Sequence, residues 1–328
     1  KETILREFLD ENGKPSQKKG TELIDRVLNK FGDDSVGELA GTWLCLEGIS
    51  NLMTKIIEDR RIGGSPIEES TRYVLFNKKI DEKWRYVRPA NIMKSSIANQ
   101  YIQTMDFLFE SYSNLIEPMK DLFAQRLPES EFYIDTERNG QVIKAKLSEL
   151  KSEEEKKALR IAYGFTIRSA ACDVIRCILP AATTANMGIH GNGRFFQGLI
   201  SRLLSQNLDE AKALAKEIKT EIDKILPSFV KRAQSNEYEI STHRNMFELA
   251  KEFVCEPIDF SDDVELLDNS TENFETNIIA EMLFPYMRHS TKQIRKIISK
   301  LSKEKKSHII HTYMGKRLER RDRPGRAL

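Results

Sequence analysis

Apolar residues recur every three or four positions along most of the chain, which is the spacing of one face of an α-helix. The same segments are rich in Leu, Ile, Ala, Lys and Glu, which are mostly good helix formers. The pattern predicts an amphipathic helix in TELIDRVLNKF and longer helical segments over 91–126, with a kink near Pro118, over 153–178 and over 208–235. The chain is therefore predicted to be mainly helical, with strands in the minority.

In two segments the apolar residues do not follow this helical spacing. The segment 35–59 is apolar on nearly every face, which predicts a helix at the centre of the core. The segment 180–197 contains several glycines and is predicted to be a loop that opens into a helix near Arg194. Because a helix and Pro180 come before these glycines, where a strand would be required, a doubly wound dinucleotide-binding fold is excluded.

Two β-hairpins are predicted between the helices. YVLF and WRYVRP flank the polar NKKIDEK and are expected to form a hairpin or an extended pair, and EFYIDTERNGQVIKAKL is expected to turn at Asn139–Gly140. Further along, the polar stretch 259–275 separates the preceding helices from a basic helical tail. We therefore place a domain boundary there, which divides the chain into 1–258 and 259–328.

Charge is balanced overall but uneven along the chain. The 328 residues include 52 basic and 50 acidic side chains, so the formal net charge is only +2, which predicts no obligatory nucleic-acid or membrane partner. Between Arg288 and Arg326, however, there are 14 Lys or Arg and three acidic residues. This basic tail is interpreted either as a solvated helix face with a flexible end or as a contact for a phosphate-rich ligand or nucleic acid.

The patterns of cysteine, histidine and hydrophobicity narrow the class of protein. The four cysteines form no C-x-x-C pair, which favours reduced thiols in a cytoplasmic protein. The sequence has no secretory signal and no run of about 18 uncharged apolar residues, so neither secretion nor a membrane span is expected. The five histidines form no H-E-x-x-H motif and no cysteine has a nearby histidine, so neither a metal site nor a cysteine nucleophile is predicted.

Residues 58–74, EDRRIGGSPIEESTRYV, gather groups that suit an anionic nucleotide. Guanidinium groups fit phosphate bidentately, hydroxyls add neutral donors, and a Gly-Gly turn lets the backbone approach a ligand closely. The alternative is a surface turn whose arginines pair with neighbouring acidic residues. The candidate binding residues are Arg60, Arg61, Ser70, Thr71 and Arg72, with Gly63 and Gly64 at the turn.

A second candidate site is the glycine-containing segment ahead of the helix predicted near Arg194. Backbone N–H groups at such a helix start can hold a phosphate, although a flexible linker is the alternative. Arg176 lies three positions after Asp173 on a largely apolar helix, where it either faces a ligand cleft or is satisfied by that carboxylate. Arg202 either joins the site or lies on the surface. The glycines are Gly188, Gly191 and Gly193, and the polar residues are Asn192, Arg194 and Arg202.

Several of these motifs, taken in order, resemble the flavin-dependent thymidylate synthases. GDDSVGEL, the apolar segment after it, DRR and ESTRY follow the order of that family's first signature. DVIRCILP is similar to the family's acid-x-x-Arg-x-x-Leu-Pro helix end and NGR to its Asn-x-Arg, and Arg202 falls within one residue of its last substrate arginine. The resemblance extends over 20–230.

The resemblance implies an α+β fold, mainly helical with a small antiparallel sheet. It also implies an enzyme that converts dUMP to dTMP, with FAD reduced by NADPH and a methylene-folate as the one-carbon donor. A homo-oligomer is expected, because active sites of the family form where subunits meet. The residues implied for substrate binding are Arg60, Ser70, Thr71, Arg72, Arg176 and Arg202, with Arg202 as the catalytic candidate. The residues implied for flavin binding are Ser35, Glu38, Arg60, Arg61, Glu68, Asn192 and Arg194.

The sequence departs from the family pattern at its histidines. DRR stands where the family has Arg-His-Arg, and Asp33 and Leu39 replace the two histidines of the earlier element. Eight residues, where the family has seven, separate Arg61 from Ser70. The alternative function is therefore a catalytically inactive homologue that binds a nucleotide or nucleic acid.

The chain looks most like a long variant of the family in which two copies lie in one chain. Residues 277–328 resemble the start of the second copy. Because the chain starts at Lys1 and stops at RRDRPGRAL, we expect it to be a fragment of a longer protein.

Overall fold

The computed structural model describes residues 9–30, 34–138, 140–253, 257–259, 265–267, 273–319 and 322–325. The chain divides into two compact units, which comprise Lys1–Leu199 with Leu208–Arg232 and Ile200–Asn207 with Ala233–Leu328. None of the described helices combines the length and the apolar character needed to span a bilayer. The described helices of at least eight residues are α1 (Gln17–Ile24), α2 (Asn51–Glu58), α3 (Ala98–Arg126), α4 (Glu153–Ile175), α5 (Gly193–Leu204), α6 (Asp209–Asp223), α7 (Glu237–Ala250), α8 (Phe274–Leu283), α9 (Thr291–Ser299) and α10 (Lys303–Met314).

The first unit contains a three-stranded antiparallel sheet and a separate hairpin. The strands are β1 (Gly41–Ser50), β2 (Gly64–Glu68), β3 (Tyr133–Arg138), β4 (Gln141–Lys146) and β5 (Thr184–Asn192). In the sheet β5 lies between β1 and β2, and β3 pairs with β4. His190 is opposite Trp43 on one side and Ser65 on the other, which fixes the register of all three strands. The α+β prediction, mainly helical with a small antiparallel sheet, is therefore confirmed.

The predicted central helix over 35–59 is wrong in its first part. A 3₁₀ turn spans Asp34–Glu38, β1 follows it, and only Asn51–Glu58 is helical. In β1 Leu44 and Leu46 point into the core, whereas Trp43 and Cys45 are exposed. Because apolar residues occupy both faces of the strand, the sequence does not show the alternation of apolar and polar residues that is typical of a strand.

The predicted loop over 180–197 is also wrong, although the helix near Arg194 is confirmed by α5. Thr184–Asn192 is the central strand, in which Ala185, Met187 and Ile189 alternate inward. A strand therefore does precede the glycine-rich helix start, contrary to the reason given for excluding a doubly wound fold. That exclusion still holds, because β5 pairs antiparallel with both of its neighbours.

The segment around NKKIDEK forms turns and isolated bridges, so the predicted pairing of YVLF with WRYVRP is wrong. Ile80 bridges Lys83, and Tyr86 bridges Thr183 at the start of the central sheet. The segment instead supplies aromatic side chains to a core with α3 and α4. The buried members of that core are Phe76, Trp84, Tyr86, Phe109, Tyr112, Ile116 and Ile175.

The second predicted hairpin is confirmed, and the long helices are confirmed in part. The helix predicted over 91–126 is interrupted between Met93 and Ala98, and the one predicted over 208–235 ends at Asp223 and is followed only by the short helix Pro227–Val230. β3 and β4 pair from Tyr133 opposite Lys146 to Arg138 opposite Gln141. The turn contains Gly140 with a φ of 77°, and Asn139 lies outside the described residues. Helix α3 contains Pro118 in its interior, and α4 is followed by a 3₁₀ turn over Arg176–Ile178.

The second unit is helical in its described part. Helices α7 to α10 enclose a separate apolar core, built mainly from α8, α9 and the inner faces of α7 and α10. The predicted boundary at 259–275 falls largely outside the described residues, so the division into 1–258 and 259–328 stays a prediction. The buried residues of this core are Met246, Leu249, Ala250, Ile279, Ala280, Met282, Leu283, Ile294, Ile298, Ile309 and Tyr313.

Candidate functional site

The turn that carries Ser70, Thr71 and Arg72 directly follows β2 and is anchored to the central strand through Glu69. The Glu69 carboxylate accepts hydrogen bonds from the Arg85 guanidinium at 2.9 Å and from the backbone N–H of Asn186 at 3.2 Å. The backbone N–H of Glu69 donates to the Asn186 carbonyl at 2.8 Å. The Arg85 and Glu69 side chains are 17% and 18% exposed, so the pair is well shielded from solvent. The turn therefore has a fixed starting point on the sheet.

Two arginines from distant parts of the chain meet at Asp173 of α4. Arg72 donates to one carboxylate oxygen at 3.2 Å, and Arg176 contacts the other at 2.9 Å. The Ser70 hydroxyl oxygen accepts a hydrogen bond from the backbone N–H of Arg72 at 3.3 Å, which shapes the turn. We call Ser70, Arg72, Asp173 and Arg176 the arginine cluster.

The arginine cluster is accessible and carries a positive charge. The side chains of Arg72, Asp173 and Arg176 are 49%, 38% and 41% exposed. Two guanidinium groups and one carboxylate leave a net charge of +1, and one nitrogen of each guanidinium contacts the carboxylate. Each guanidinium has five N–H donors, so most donors of both remain available to an anion.

A second group of predicted site residues lies at the other end of β2. The backbone N–H of Asn192 donates to the Gly63 carbonyl at 3.0 Å, and its side-chain oxygen accepts from the backbone N–H of Phe195 at 2.8 Å. Asn192 thus caps α5 while it holds the Gly63–Gly64 turn. Gly63 has a φ of 80°, and a Cβ there would lie 2.8 Å from the Asn192 amide, so this position requires glycine.

The 3₁₀ turn that contains Ser35 and Glu38 packs against the start of α5. A Cβ on Gly37 would lie 3.1 Å from the backbone nitrogen of Arg194, which shows how closely the two segments approach. The Glu38 carboxylate forms an ion pair with the Arg194 guanidinium, and both side chains are about half exposed. We call Ser35, Glu38, Asn192 and Arg194 the Asn192 cluster.

The two clusters lie at opposite ends of one pair of strands. Gly64 pairs with Gly191 beside the Asn192 cluster, and Glu68 pairs with Met187 near the turn of the arginine cluster. Four residue steps of a strand span about 13 Å. The structure therefore separates the predicted nucleotide residues Ser70, Thr71, Arg72 and Arg176 from most of the predicted flavin residues, while one short strand connects both groups.

The remaining predicted residues are less closely tied to either cluster. Arg61 pairs with Glu58 at 3.0 Å, as the surface-turn alternative expected for an arginine of this segment. Arg60 is exposed and has no hydrogen bond or ion pair within the described part of the chain, and Glu68 is an exposed residue at the end of β2. Arg202 is buried and belongs to the second unit, so its role stays a prediction.

Sequence reasoning missed five residues, of which three anchor the Ser70–Arg72 turn and two flank it. Glu69, Arg85 and Asn186 anchor the turn, yet their positions suggest nothing until β2 and β5 are known to pair. Tyr73 and Phe165 stack beside Arg72, with ring centroids 5.6 Å apart. Only the placement of Tyr73 next to Arg72 could have indicated this contact.

The potential metal ligands and the thiols are dispersed over the described part of the chain. No group of three or more His, Cys, Asp or Glu there could hold a metal ion. Cys45 and Cys177 are exposed, and Cys172 is buried on α4. Burial raises the pKa of the Cys172 thiol, which disfavours a nucleophilic thiolate.

Comparison with known proteins adds the following. A family model described as "Thymidylate synthase complementing protein" matches residues 2–228. UPF0159 proteins of Chlamydia pneumoniae and Chlamydia muridarum are 33% and 32% identical over 99% of this chain and 60% of their own length. A UPF0159 protein of Thermoplasma acidophilum is 28% identical over 95% of this chain and 61% of its own length. The chain thus spans about three fifths of these relatives.

Two solved structures also align with the chain. The flavin dependent thymidylate synthase ThyX from Helicobacter pylori, complexed with FAD and dUMP, aligns at 17% identity over 71% of this chain and 91% of that chain, with a TM-score of 0.37. A second structure of ThyX from the same organism, also with FAD and dUMP, aligns at 18% identity over 65% and 84%, with a TM-score of 0.32.

Proposed function

Because the chain belongs to the thymidylate synthase complementing protein family, we propose that it is part of a flavin-dependent thymidylate synthase-like enzyme. Its reaction would convert dUMP to dTMP, with a methylene-folate as carbon donor and NADPH as reductant. The family match over 2–228 includes both the arginine cluster and the Asn192 cluster, which supports a role for both. The proposal includes a homo-oligomer and a cytoplasmic location.

The arginine cluster carries the proposal. Two guanidinium groups that converge from separate segments, 49% and 41% exposed, suit a phosphate dianion, which accepts bidentate hydrogen bonds from arginine. In the proposed complex Arg72 and Arg176 bind the phosphate of dUMP, and the hydroxyls of Ser70 and Thr71 donate to the nucleotide. Arg60 and Arg202 are proposed as further substrate contacts.

The residues of the Asn192 cluster fit FAD. Arg194 and the exposed Arg60 and Arg61 offer cationic donors for the pyrophosphate, and the Gly63–Gly64 turn allows a close approach of the backbone. Asn192, Ser35, Glu38 and Glu68 supply the remaining polar contacts. When bound, the flavin would supply the hydride-transfer chemistry.

The contribution of this chain to catalysis is electrostatic. A positioned guanidinium stabilises negative charge that develops on the pyrimidine ring, and such preorganised donors act without reorganising during the reaction. Arg202 is the proposed catalytic residue for this role, while Arg72 and Arg176 hold the nucleotide in register. None of these functions requires a cysteine nucleophile.

Replacement of Arg72 tests the proposal. Arg72→Ala should weaken dUMP binding by about 1.5 to 3 kcal/mol, the scale for a hydrogen-bonding partner that carries a charge. Isothermal titration calorimetry of the purified protein with dUMP measures the change. Arg160→Ala, which removes an exposed arginine from the same helix as Asp173, is the matched control and should leave the affinity unchanged. An unaltered dissociation constant in Arg72→Ala would contradict the assignment.

Flavin content separates the proposal from the non-catalytic alternative. The purified protein should be yellow or should bind added FAD, with the absorbance bands of a flavin. A colourless protein that ignores FAD but binds nucleic acid, with an affinity that falls steeply as salt is added, would instead support a binding homologue.

A further inference from the structure

A shielded ion pair lies directly behind the turn that carries Ser70 and Arg72. The Arg85 guanidinium donates to the Glu69 carboxylate at 2.9 Å, and the two side chains are only 17% and 18% exposed, whereas the charged side chains of the arginine cluster are 38% to 49% exposed. Withdrawing a charged pair from solvent costs desolvation free energy, which often equals or exceeds the attraction between the charges. Such a pair therefore adds little net stability, and its best-attested role is to fix one arrangement of the chain.

Glu69 is held to the central sheet at more than one point. The carboxylate oxygen that accepts from Arg85 also accepts from the backbone N–H of Asn186 at 3.2 Å. The backbone N–H of Glu69 donates to the Asn186 carbonyl at 2.8 Å. The side-chain oxygen of Asn186 in turn accepts from the backbone N–H of Gly48, in the irregular part of β1, at 3.0 Å. Glu69 is therefore tied to β5 and, through Asn186, to the opposite edge strand.

Arg85 connects this anchor to the end of α4. Its guanidinium carbon lies 4.5 Å from the Phe76 ring centroid, within the range of a cation–π contact. Phe76 is fully buried in the aromatic core that also contains Ile175, the residue before Arg176. The Arg85 carbonyl accepts from the backbone N–H of Thr184 at 2.8 Å, at the start of β5. Arg85 therefore bridges the sheet and the core against which the end of α4 packs.

The distance between the turn and α4 decides whether the arginine cluster forms. Arg72 lies three residues after Glu69, and it reaches Asp173 of α4 at 3.2 Å. Protein hydrogen bonds between nitrogen and oxygen fall mostly within about 2.7 to 3.2 Å, so a displacement of the turn by about 1 Å would break this contact. The anchor that holds Glu69 is therefore also what keeps Arg72 beside Asp173.

We propose that Glu69 and Arg85 are positioning residues of the phosphate site, which keep Arg72 at the distance from Arg176 that a phosphate requires. The inference rests on the proposed function and adds residues that act through Arg72 without touching the ligand. Glu69, Arg85 and Asn186 are not among the residues implied by the family resemblance, which leaves them without a role.

A double-mutant cycle tests whether Arg85 acts through Arg72. Calorimetry of the purified protein with dUMP, in excess FAD, should show binding weakened about 5- to 10-fold in Arg85→Leu, less than for a deleted charged hydrogen bond, because Arg72 is displaced but still present. In the Arg72→Ala background the same substitution should change the affinity by less than about twofold, because residues that act as one unit are not additive. Arg85→Lys retains a charged donor for Glu69 and should bind dUMP more tightly than Arg85→Leu.

Arg138→Leu is the matched control. Arg138 on β3 forms a comparably shielded ion pair with Glu155 at 3.1 Å, with side chains 27% and 21% exposed. The loss of this pair should leave the affinity for dUMP unchanged. Far-UV circular dichroism verifies the fold of each variant. If Arg85→Leu does not fold, Arg85→Gln, which keeps a hydrogen-bond donor without the charge, replaces it in the cycle with the same expected pattern.

The possible outcomes discriminate between explanations. Equal weakening by Arg85→Leu in both backgrounds would mean that Arg85 acts independently of Arg72, and this would overturn the inference. An unchanged affinity in Arg85→Leu, beside a weakened Arg72→Ala, would overturn it as well while leaving the proposed function intact. Failure of the wild-type protein to bind dUMP, or an unchanged affinity in Arg72→Ala, would overturn the proposed nucleotide site together with the inference.

Discussion

Asp173 is the residue that makes the arginine cluster a single site. It lies within 3.2 Å of Arg72 and 2.9 Å of Arg176, yet all three side chains are well exposed. Exposed ion pairs contribute little to folding, typically below about 1 kcal/mol each. The main role of this carboxylate is therefore to orient the side chains, because it holds two guanidinium groups from different segments next to each other.

At the scale of single residues, Gly64 allows the sheet and α5 to approach each other. A Cβ on Gly64 would overlap the ring of Phe195 at the start of α5. Gly64→Ala should therefore lower the free energy of unfolding by about 1 to 3 kcal/mol, the usual cost of overpacking. Urea denaturation followed by circular dichroism measures this change.

Gly164 in the interior of α4 is the matched control. A Cβ on Gly164 would have no atom within 4 Å, apart from the backbone of its own helix and its chain neighbours. Gly164→Ala should raise stability by about 0.5 to 1 kcal/mol, because alanine loses less entropy than glycine when a helix forms. A loss of stability that is equal in both variants would contradict the close packing inferred at Gly64.

At the scale of elements, the helix starts and the second hairpin follow from local sequence, whereas the central sheet does not. Ser152 caps α4 and forms a capping box with Glu155, a signal contained in four consecutive residues. The identity of β1 depends on β5, far along the chain. With Trp43 and Cys45 facing out, local periodicity could not distinguish a strand from a buried helix.

The candidate site was predicted in its residue types and only partly in its arrangement. Arg72 and Arg176 could be proposed from their chemistry, and Asp173 was recognised as a partner of Arg176 alone. That Asp173 also binds Arg72 depends on the packing of the Ser70–Arg72 turn against α4, which Glu69 and its contacts on β5 determine. Such tertiary contacts leave no periodic signal in the sequence.

Glu155 ties the start of α4 to the β3–β4 hairpin and makes that junction sensitive to acid. The backbone N–H of Ser152, together with the Thr136 hydroxyl, the Lys151 N–H and the Arg138 charge, lowers the pKa of the Glu155 carboxyl from 4.5 to about 2. A folded-state pKa below the unfolded value stabilises the fold above the unfolded pKa. That stabilisation is lost progressively as pH falls from about 5 to about 2.

Glu155→Gln tests this acid dependence, since glutamine cannot titrate. The free energy of unfolding of the variant, measured in urea at pH 6, 4 and 3, should fall less with acid than that of the wild type. Glu154→Gln, at an exposed position with no hydrogen bond among the described residues, should keep the wild-type slope. If the free energy of unfolding depended on pH in the same way in the wild type and in Glu155→Gln, this carboxylate would not determine the loss of stability in acid.

At the scale of the whole molecule, the separation of the two clusters predicts that a substitution in one cluster weakens the binding of one ligand only. Arg194→Ala should weaken FAD binding by about tenfold or more, the effect expected for a lost charged hydrogen bond, and should leave dUMP binding within about twofold. Arg72→Ala should weaken dUMP binding and leave FAD binding within about twofold. Flavin fluorescence titration and calorimetry measure the two affinities. If each variant weakened both ligands equally, the clusters would act as one site and the assignment of separate ligands would be wrong.

The strand order has a consequence for the newly made protein. β1 and β2 leave the ribosome well before β5, the strand that lies between them. At 5 to 20 residues per second, the interval between the end of β2 and the start of β5 lasts roughly 6 to 25 seconds. During that time both strands have backbone donors and acceptors without their native partner, a state in which strands of different chains readily join. Translation speed between residues 69 and 183 should therefore influence how much of this protein reaches its soluble form.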